Sequence, residues 1–411
     1  MDQNQTRWEP LHPPPPSSPP PLRASVTFSG NRGDFFRLVA RGIGLELVTF
    51  GFYRFWLATD IRRHLWSNTA IDGDGAEYTG RGKELLLGFL FALAILAPVY
   101  IAYFLVGIEA ERYKAFASFP LFLFLYVFAQ FAIYRARRYR LTRTVWRGVR
   151  FWMDGSGWAY AWRATLWGLL AALTLGLALP WREAALERYK MRHCHYGNLP
   201  ARFEGSGSEF FKRGWWLWLI AVSPILASFV AGLFRFVPGE PPPGAKFLPL
   251  VTLFWLLSAP FVYGAFKTVE WRWWISGIRF GEVSFQSDLS SGTQIALYWK
   301  VTGWFLLITL LLAAYLFTFA RLIAGTGDLA HTAAKLQAST SMQVAGVVGY
   351  FVYILALNIV MRVYLLRDLW TAVASSTTAC DLESVADVAV RGDLADALGE
   401  GLGGGLDVVG F

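Results

Sequence analysis

The chain of 411 residues is 55% hydrophobic but only 16% charged, well short of the roughly 25% of ordinary soluble domains. Its 38 Lys and Arg against 29 Asp and Glu leave a formal charge of +9, and 17% of the residues are aromatic, including 19 Trp. This composition argues against a soluble globular protein, a nucleic-acid binder with a solvated basic face, and a disordered chain. The two cysteines, Cys194 and Cys380, exclude a disulfide framework and a zinc ribbon.

The N-terminus offers no apolar core for a signal peptide. Residues 1–24 are expected to be a disordered tail, because the prolines at Pro10, Pro13 to Pro16 and Pro19 to Pro21 favour extended polyproline II. Hydrophobic segments then follow near 35–58, 85–107, 116–134, 158–181, 215–236, 247–266, 294–320 and 342–363. Six reach spanning length. The first is interrupted by Arg37, Arg41 and Glu46, and the fourth is apolar only from Ala164 to Trp181, with Arg163 at its border.

Loops 135–157 and 182–214 carry seven Lys or Arg each. If every segment crossed a bilayer, these loops would lie on opposite faces, against the tendency of basic loops to stay cytoplasmic. If the first and fourth segments dip in and return, or lie at the interface, all heavily basic loops share one side. Short alternating segments near 25–29, 76–79, 147–152, 201–204 and 278–286 read as strands. In the second arrangement they pair in a small cytoplasmic sheet.

Residues 28–84 and 153–209 match without a gap at a constant offset of 125. Gly30 pairs with Gly155, Thr49 with Thr174, Gly51 with Gly176, and Trp56 with Trp181. Further on, Arg63 pairs with Arg188, Gly80 with Gly205, Gly82 with Gly207, and Glu84 with Glu209. A third, worn copy begins at 276–285 without the T-x-G and Trp features. Thr49 and Thr174 are placed to bond back to a carbonyl one turn earlier, and Gly51, Gly176 and Pro180 to break a helix. Trp56 and Trp181 suit a headgroup layer, with Arg54, Arg62, Arg63, Arg182 and Arg188 near lipid phosphates. Glu84 and Glu209 suit helix N-termini. A transport path between broken, paired helices is the functional alternative, with Arg41, Glu46, Arg163 and Lys300 as its intramembrane charges.

The expected fold is an all-α polytopic membrane protein with about 6–8 transmembrane helices, an internal duplication and a few short membrane-proximal strands. The membrane domain covers 25–370, as repeats of about 25–145 and 146–270 and a degenerate third at 271–370. Residues 371–411 read as a soluble, mobile tail, with Asp381, Glu383, Asp387, Asp393, Asp396, Glu400 and Asp407 against Arg391 alone.

No enzyme motif, metal site or cofactor site is expected. His193-Cys194-His195 has ligand-type residues, but adjacent positions do not easily reach one ion. The G-x-G patterns at 80–82 and 205–207 lack the Lys-Ser/Thr of a phosphate loop, and Asp72, Asp74 and Glu77 have no acidic counterparts in the second copy, so both read as turns.

The residues TFGFYRFW and RRHLWSNTAIDGDGAEYTGRGKELLLG, with LTLGLALPWREAALERYK, ARFEGSGSEFF and WRGVRF, carry a resemblance. They look like the repeated signature of the YjgN-type bacterial membrane proteins, a family of unknown function. The final GEGLGGGLDVVGF resembles family ends, whereas Phe55 stands where the family usually has proline. The resemblance implies an integral inner-membrane protein of a Gram-negative bacterium and supplies no catalytic residues. Partners expected are the bilayer, through anionic headgroups at basic loops, and no nucleic acid; a homo-oligomer stays open. The leading reading is a non-enzymatic, lipid- or partner-binding envelope protein, with a transporter or channel as the alternative.

Overall fold

The structure, a computed structural model, describes residues 23–109, 114–233, 248–324, 339–392 and 394. Among these, the chain is a succession of five strand–helix–helix–strand units. The first holds β1 (Arg23–Phe28), α1 (Arg32–Val48), α2 (Arg54–Ser67) and β2 (Thr69–Ile71). The second holds β3 (Asp74–Tyr78), α3 (Gly82–Glu109), α4 (Lys114–Thr142) and β4 (Thr144–Trp146). The third holds β5 (Val149–Met153), α5 (Gly157–Leu173), α6 (Leu179–Arg192) and β6 (Cys194–Tyr196). The fourth holds β7 (Leu199–Phe203), α7 (Gly207–Leu233), α8 (Leu248–Gly277) and β8 (Ile278–Phe280). The fifth holds β9 (Val283–Ser287), α9 (Ser291–Ala324), α10 (Thr340–Ile359), a π-helical turn at Val360–Leu366, α11 (Arg367–Ser375) and β10 (Thr377–Cys380).

Successive units are joined by two-residue turns at Asp72-Gly73, Arg147-Gly148, Gly197-Asn198 and Gly281-Glu282. Asp72, Gly73, Arg147, Gly148, Gly197 and Gly281 have φ of 56, 84, 47, 75, 55 and 58°. These left-handed values match the twist of tight hairpins. The ten strands close into an antiparallel barrel in chain order. Closure falls on β1, whose Arg23 to Ser25 pair with β10 while Val26 to Phe28 pair with β2.

This overturns the expectation of an all-α fold with a few strands. The helices dominate by length, but every one of them is hung on a closed barrel. Strands of three residues such as Thr69–Ile71 and Cys194–Tyr196 leave almost no alternation to read, and closure joins residues at opposite ends of the chain. Thr377–Cys380, expected in the acidic tail, is the closing strand. Leu382 and Val385 then pack with Trp146, Tyr196 and Val283 in one apolar cluster. The rest of the acidic tail, except residues up to 392 and residue 394, lies outside the described residues, as does the proline-rich segment up to residue 22.

The topology has a geometric consequence. Tight turns occupy one end of the barrel, so all helices leave and return at the other. Helices long and apolar enough to cross a membrane cover Gly82–Leu105, Phe119–Thr142, Ser291–Ile323 and Thr340–Ser375 among the described residues. The first and fourth hydrophobic segments are different, because each contains a helix, a turn and the start of a second helix. At 17 residues, α1 and α5 are about 26 Å long, and α2 and α6 at 14 residues about 21 Å, short of a bilayer core of about 30 Å.

The turn in both short hairpins is built by the T-x-G residues. Thr49 Oγ1 donates to Leu45 O at 2.7 Å and accepts from Tyr53 N at 2.9 Å; Thr174 Oγ1 donates to Leu170 O at 2.8 Å and accepts from Ala178 N at 3.1 Å. Each hydroxyl thus ends one helix and starts the next. Gly51 and Gly176, with φ of 88 and 85°, each donate their N–H to the carbonyl five residues back at 2.7 Å. The hairpin tips carry Val48, Phe50 and Leu173 at 75, 94 and 84% exposure, large apolar side chains with no protein cover.

Candidate functional site

The signature residues mostly lock units to one another. Arg63 Nη2 donates to Gly80 O at 2.9 Å, and Arg188 Nη2 to Gly205 O at 3.0 Å, each joining a short hairpin to the strand exit of the next unit. The rings of Tyr78 and Phe203 fold over those glycines. The half-buried Trp56 and Trp181 lie against Gly82 and Gly207, where a Cβ would come within 2.7–2.9 Å of their backbone or ring atoms. Glu84, in the first turn of α3, accepts from Tyr139 Oη at 2.6 Å and Arg143 Nε at 2.9 Å, whereas Glu209 pairs with Arg213 at 2.5 Å.

Four of the five arginines expected to meet phosphates are engaged by the protein. Arg62 is buried with Tyr78 Oη at 3.1 Å, Arg63 and Arg188 hold carbonyls, and Arg182 pairs with Glu183; Arg54 lies over the rings of Phe55 and Phe89. Pro180 occupies the first turn of α6 and, with Gly176, also lines an apolar chamber.

The four intramembrane charge candidates do not converge. Arg41 lines an open groove between α1 and α2 with Arg37, Asp60, Arg63 and His64. Glu46 stands 3.6 Å from Arg362 in the π-helical turn. Arg163 lies over the Tyr189 ring at 4.5 Å. Lys300 pairs with Asp368 at 2.9 Å, in a cluster with Arg32 and Arg367.

Of the residues weighed for metal chemistry, His193 Nδ1 lies 2.7 Å from Asp154, Cys194 is buried, and His195 stacks on Trp152 with centroids 4.1 Å apart. His193 caps the end of α6, and alternation along β6 sends Cys194 and His195 to opposite faces. Asp72 and Asp74 hold Arg147 at 3.2 and 2.5 Å. Among the described residues, no group of three or more His, Cys, Asp or Glu is placed to share a metal ion.

What the structure does assemble is a pair of chambers on α6 and α8. The apolar one, about 370 Å³, lies between the tip of the second short hairpin and α7 and α8. Gly176, Leu177, Leu179, Pro180, Trp218, Ala259, Tyr263 and Phe266 are among its walls. Trp218 Nε1 donates to Leu175 O at 2.9 Å and fixes the tip against α7. The charged one, about 250 Å³, is lined by Arg137, Glu183, Glu187, Lys190, Lys267 and Glu270, with Tyr298 and the Trp271, Trp273 and Trp274 cluster. It lies between α4 of the first repeat and α6 and α8 of the second.

Tyr263 is a wall of both chambers. Its ring meets Tyr298 edge-on at 4.8 Å, and Lys267 Nζ lies 5.8 Å from its centroid. Inside the charged chamber Lys267 pairs with Glu270 at 2.5 Å, Glu187 pairs with Lys190, and Arg137 stands 3.7 Å from Glu187 Oε2. Burial pushes the Glu183 carboxyl up. Burial also works against ionisation of Glu187, but Lys190 and Arg137 hold its carboxyl below the usual range.

None of these six charges was singled out from the sequence. Their signal was present: Glu183, Glu187 and Lys190 fall four and three residues apart on one helix face, as do Lys267 and Glu270.

Residues 23–302 match a family described as a bacterial protein of unknown function (DUF898). No curated protein and no solved structure matches the chain.

Proposed function

The chain belongs to that bacterial family of unknown function, and we propose that it is a non-enzymatic, multi-pass inner-membrane protein that binds a lipid in the paired chambers of α6 and α8. Its long apolar helices support membrane insertion. The two short hairpins then enter from the barrel side and return, and the excess of Lys and Arg in the loops supports a cytoplasmic barrel. The exposed Phe50 and Leu173 tips are at home in acyl chains.

The observation that carries the lipid reading is the shared wall at Tyr263. Going towards the barrel along α8, Trp255, Ala259, Val262 and Phe266 face the apolar chamber, and Lys267 and Glu270 the charged one. Along α6 the order repeats, with Leu179 and Pro180 before Glu183 and Glu187. Apolar outward and charged towards the cytoplasm is the polarity of an inner-leaflet lipid.

Lipid extracted from the purified protein tests this. Ala259 is exposed and lines the apolar chamber, so Ala259→Trp fills it without disturbing the core. The variant should retain its unfolding temperature and lose the tightly bound lipid seen by native mass spectrometry. Unchanged lipid occupancy in the filled variant would overturn the reading.

A further inference from the structure

We propose that the groove between α1 and α2 binds the phosphate of an anionic lipid headgroup, at a site separate from the chambers. This rests on the membrane placement of the short hairpins proposed above and not on what the chambers hold. The groove, about 610 Å³, is lined by Arg37 and Arg41 of α1 and by Asp60, Arg63 and His64 of α2. Burial lowers the His64 pKa and keeps its imidazole neutral at pH 7, so three guanidiniums face one carboxylate from the groove walls.

Two of the three have protein partners. Arg37 Nη1 lies 3.5 Å from the exposed Asp34, and Arg63 donates to Gly80 O and stands 3.8 Å from Asp60. Arg41 is exposed and, among the described residues, has neither a hydrogen bond nor an ion pair. It stands one helical turn beyond Arg37 on the same face, a like-charge spacing that weakens a helix. An anion bound between the two turns that repulsion into attraction.

The hairpin does not need these charges in order to fold. The second short hairpin has the same threonine turn and the same arginine clamp on a glycine carbonyl. At the offset of 125, however, Trp162 and Leu166 stand at the positions of Arg37 and Arg41, and Ala185 at that of Asp60. Its Arg163 lies over Tyr189, which takes the position of His64. The arginines of α1 therefore answer to a ligand rather than to the hairpin.

Depth selects the source of the phosphate. Arg41 comes seven residues, about 10 Å, before Val48 at the exposed apolar tip. With that tip among acyl chains, the arginines lie at the level of the headgroups, where a guanidinium takes two phosphate oxygens at once. A free phosphate ion satisfies the same arginines, but only a lipid also sets its chains against the exposed Val48 and Phe50.

The test is binding of the delipidated full chain in detergent to phosphatidylglycerol and phosphatidylcholine with matched chains, read by native mass spectrometry. Phosphatidylglycerol should bind at least ~10-fold more tightly, about 1.4 kcal/mol. Arg41→Gln should cut that preference at least ~3-fold and Arg41→Glu should abolish it, both with an unchanged unfolding temperature. Ala259→Trp, which fills the apolar chamber, should leave the preference intact. Equal affinity for the two lipids, a preference that both Arg41 variants retain, or one that Ala259→Trp removes overturns the site. Displacement of the lipid by excess inorganic phosphate, but not by chloride at equal ionic strength, would make a free ion the ligand and overturn the lipid assignment. The membrane placement is read separately, from a fluorophore on Phe50→Cys in nanodiscs, since Cys194 and Cys380 are buried. Lipids with nitroxide-labelled acyl chains should quench it. Absence of quenching sinks the placement, whereas quenching with equal lipid affinities sinks the headgroup site alone.

Discussion

Arg367 Nη2 donates to the carbonyl oxygen of Gly30 at 2.6 Å, across 337 positions of sequence. It joins the helix before the closing strand to the exit of the first strand, as Arg63 joins Gly80 and Arg188 joins Gly205. Three of the joints around the barrel therefore use one device: a guanidinium at the end of one unit holds the glycine carbonyl that opens the next. The joint between the chain's two ends is one of these three. A bond formed across such a sequence separation carries a large loop-closure cost.

Arg367→Ala should therefore destabilise the protein by about 1–3 kcal/mol, the range for a charge-assisted hydrogen bond whose acceptor is left behind. The lost contact lies at the barrel seam, so the β1–β10 pair should become the first site of proteolysis. Thermal unfolding in detergent with mapping of the first cleavage checks both. Arg37→Ala, at a largely exposed surface arginine, is the control and should stay within about 0.5 kcal/mol. Equal effects from the two would mean that the seam does not depend on the clamp.

The glycines under these clamps are set by neighbouring rings. A Cβ on Gly30, Gly80 or Gly205 would lie 2.4, 2.6 and 2.6 Å from the rings of Phe28, Tyr78 and Phe203. Gly80→Ala should cost about 1–3 kcal/mol through overpacking. Tyr78→Leu removes the ring, so the double variant should be less destabilised than the sum of the two single changes. Chemical denaturation of the four proteins measures the coupling, and strict additivity would rule out the ring contact as the cause.

Local chemistry of this kind was legible in the sequence, and long-range closure was not. The pairing of Thr49 with Thr174 and Gly51 with Gly176 located both hairpin turns, because a back-bonded threonine and a positive-φ glycine act within a few residues. Asp72-Gly73 likewise read as a turn. The barrel was read only in part, since a three-residue strand has too few side chains to show a period of two, and Thr377–Cys380 lay in a stretch dominated by acids. The charged chamber was hidden for another reason. Glu187 and Lys267 look like loop charges until α6 and α8 come to line one chamber.

Gly51 separates backbone strain from packing. Its φ is 88°, and a Cβ there would meet nothing within 4 Å. Gly51→Ala should destabilise by about 1 kcal/mol through the left-handed backbone alone, and Gly51→Asn by less, since Asn tolerates that region better. Unfolding midpoints of the two variants decide it. An alanine variant as stable as the native protein would show that the hairpin relaxes around residue 51.

Cys194 supplies the pH dependence. It is buried in β6, and burial pushes its thiol from an ordinary value of 9.0 up to about 11. The folded state therefore favours the neutral thiol. That contribution is complete below about pH 9 and is lost as pH climbs through about 11, because the unfolded chain gives up the proton first. At the top of this window it amounts to about 3 kcal/mol, from about 1.4 kcal/mol per pH unit. Two measurements follow. At pH 8 a maleimide should label neither Cys194 nor the equally buried Cys380 until the protein is unfolded. Cys194→Ala should lose less stability than the native chain between pH 9 and pH 11. Rapid labelling of the folded protein, or parallel alkaline profiles for the two proteins, would show that the barrel wall admits water at β6.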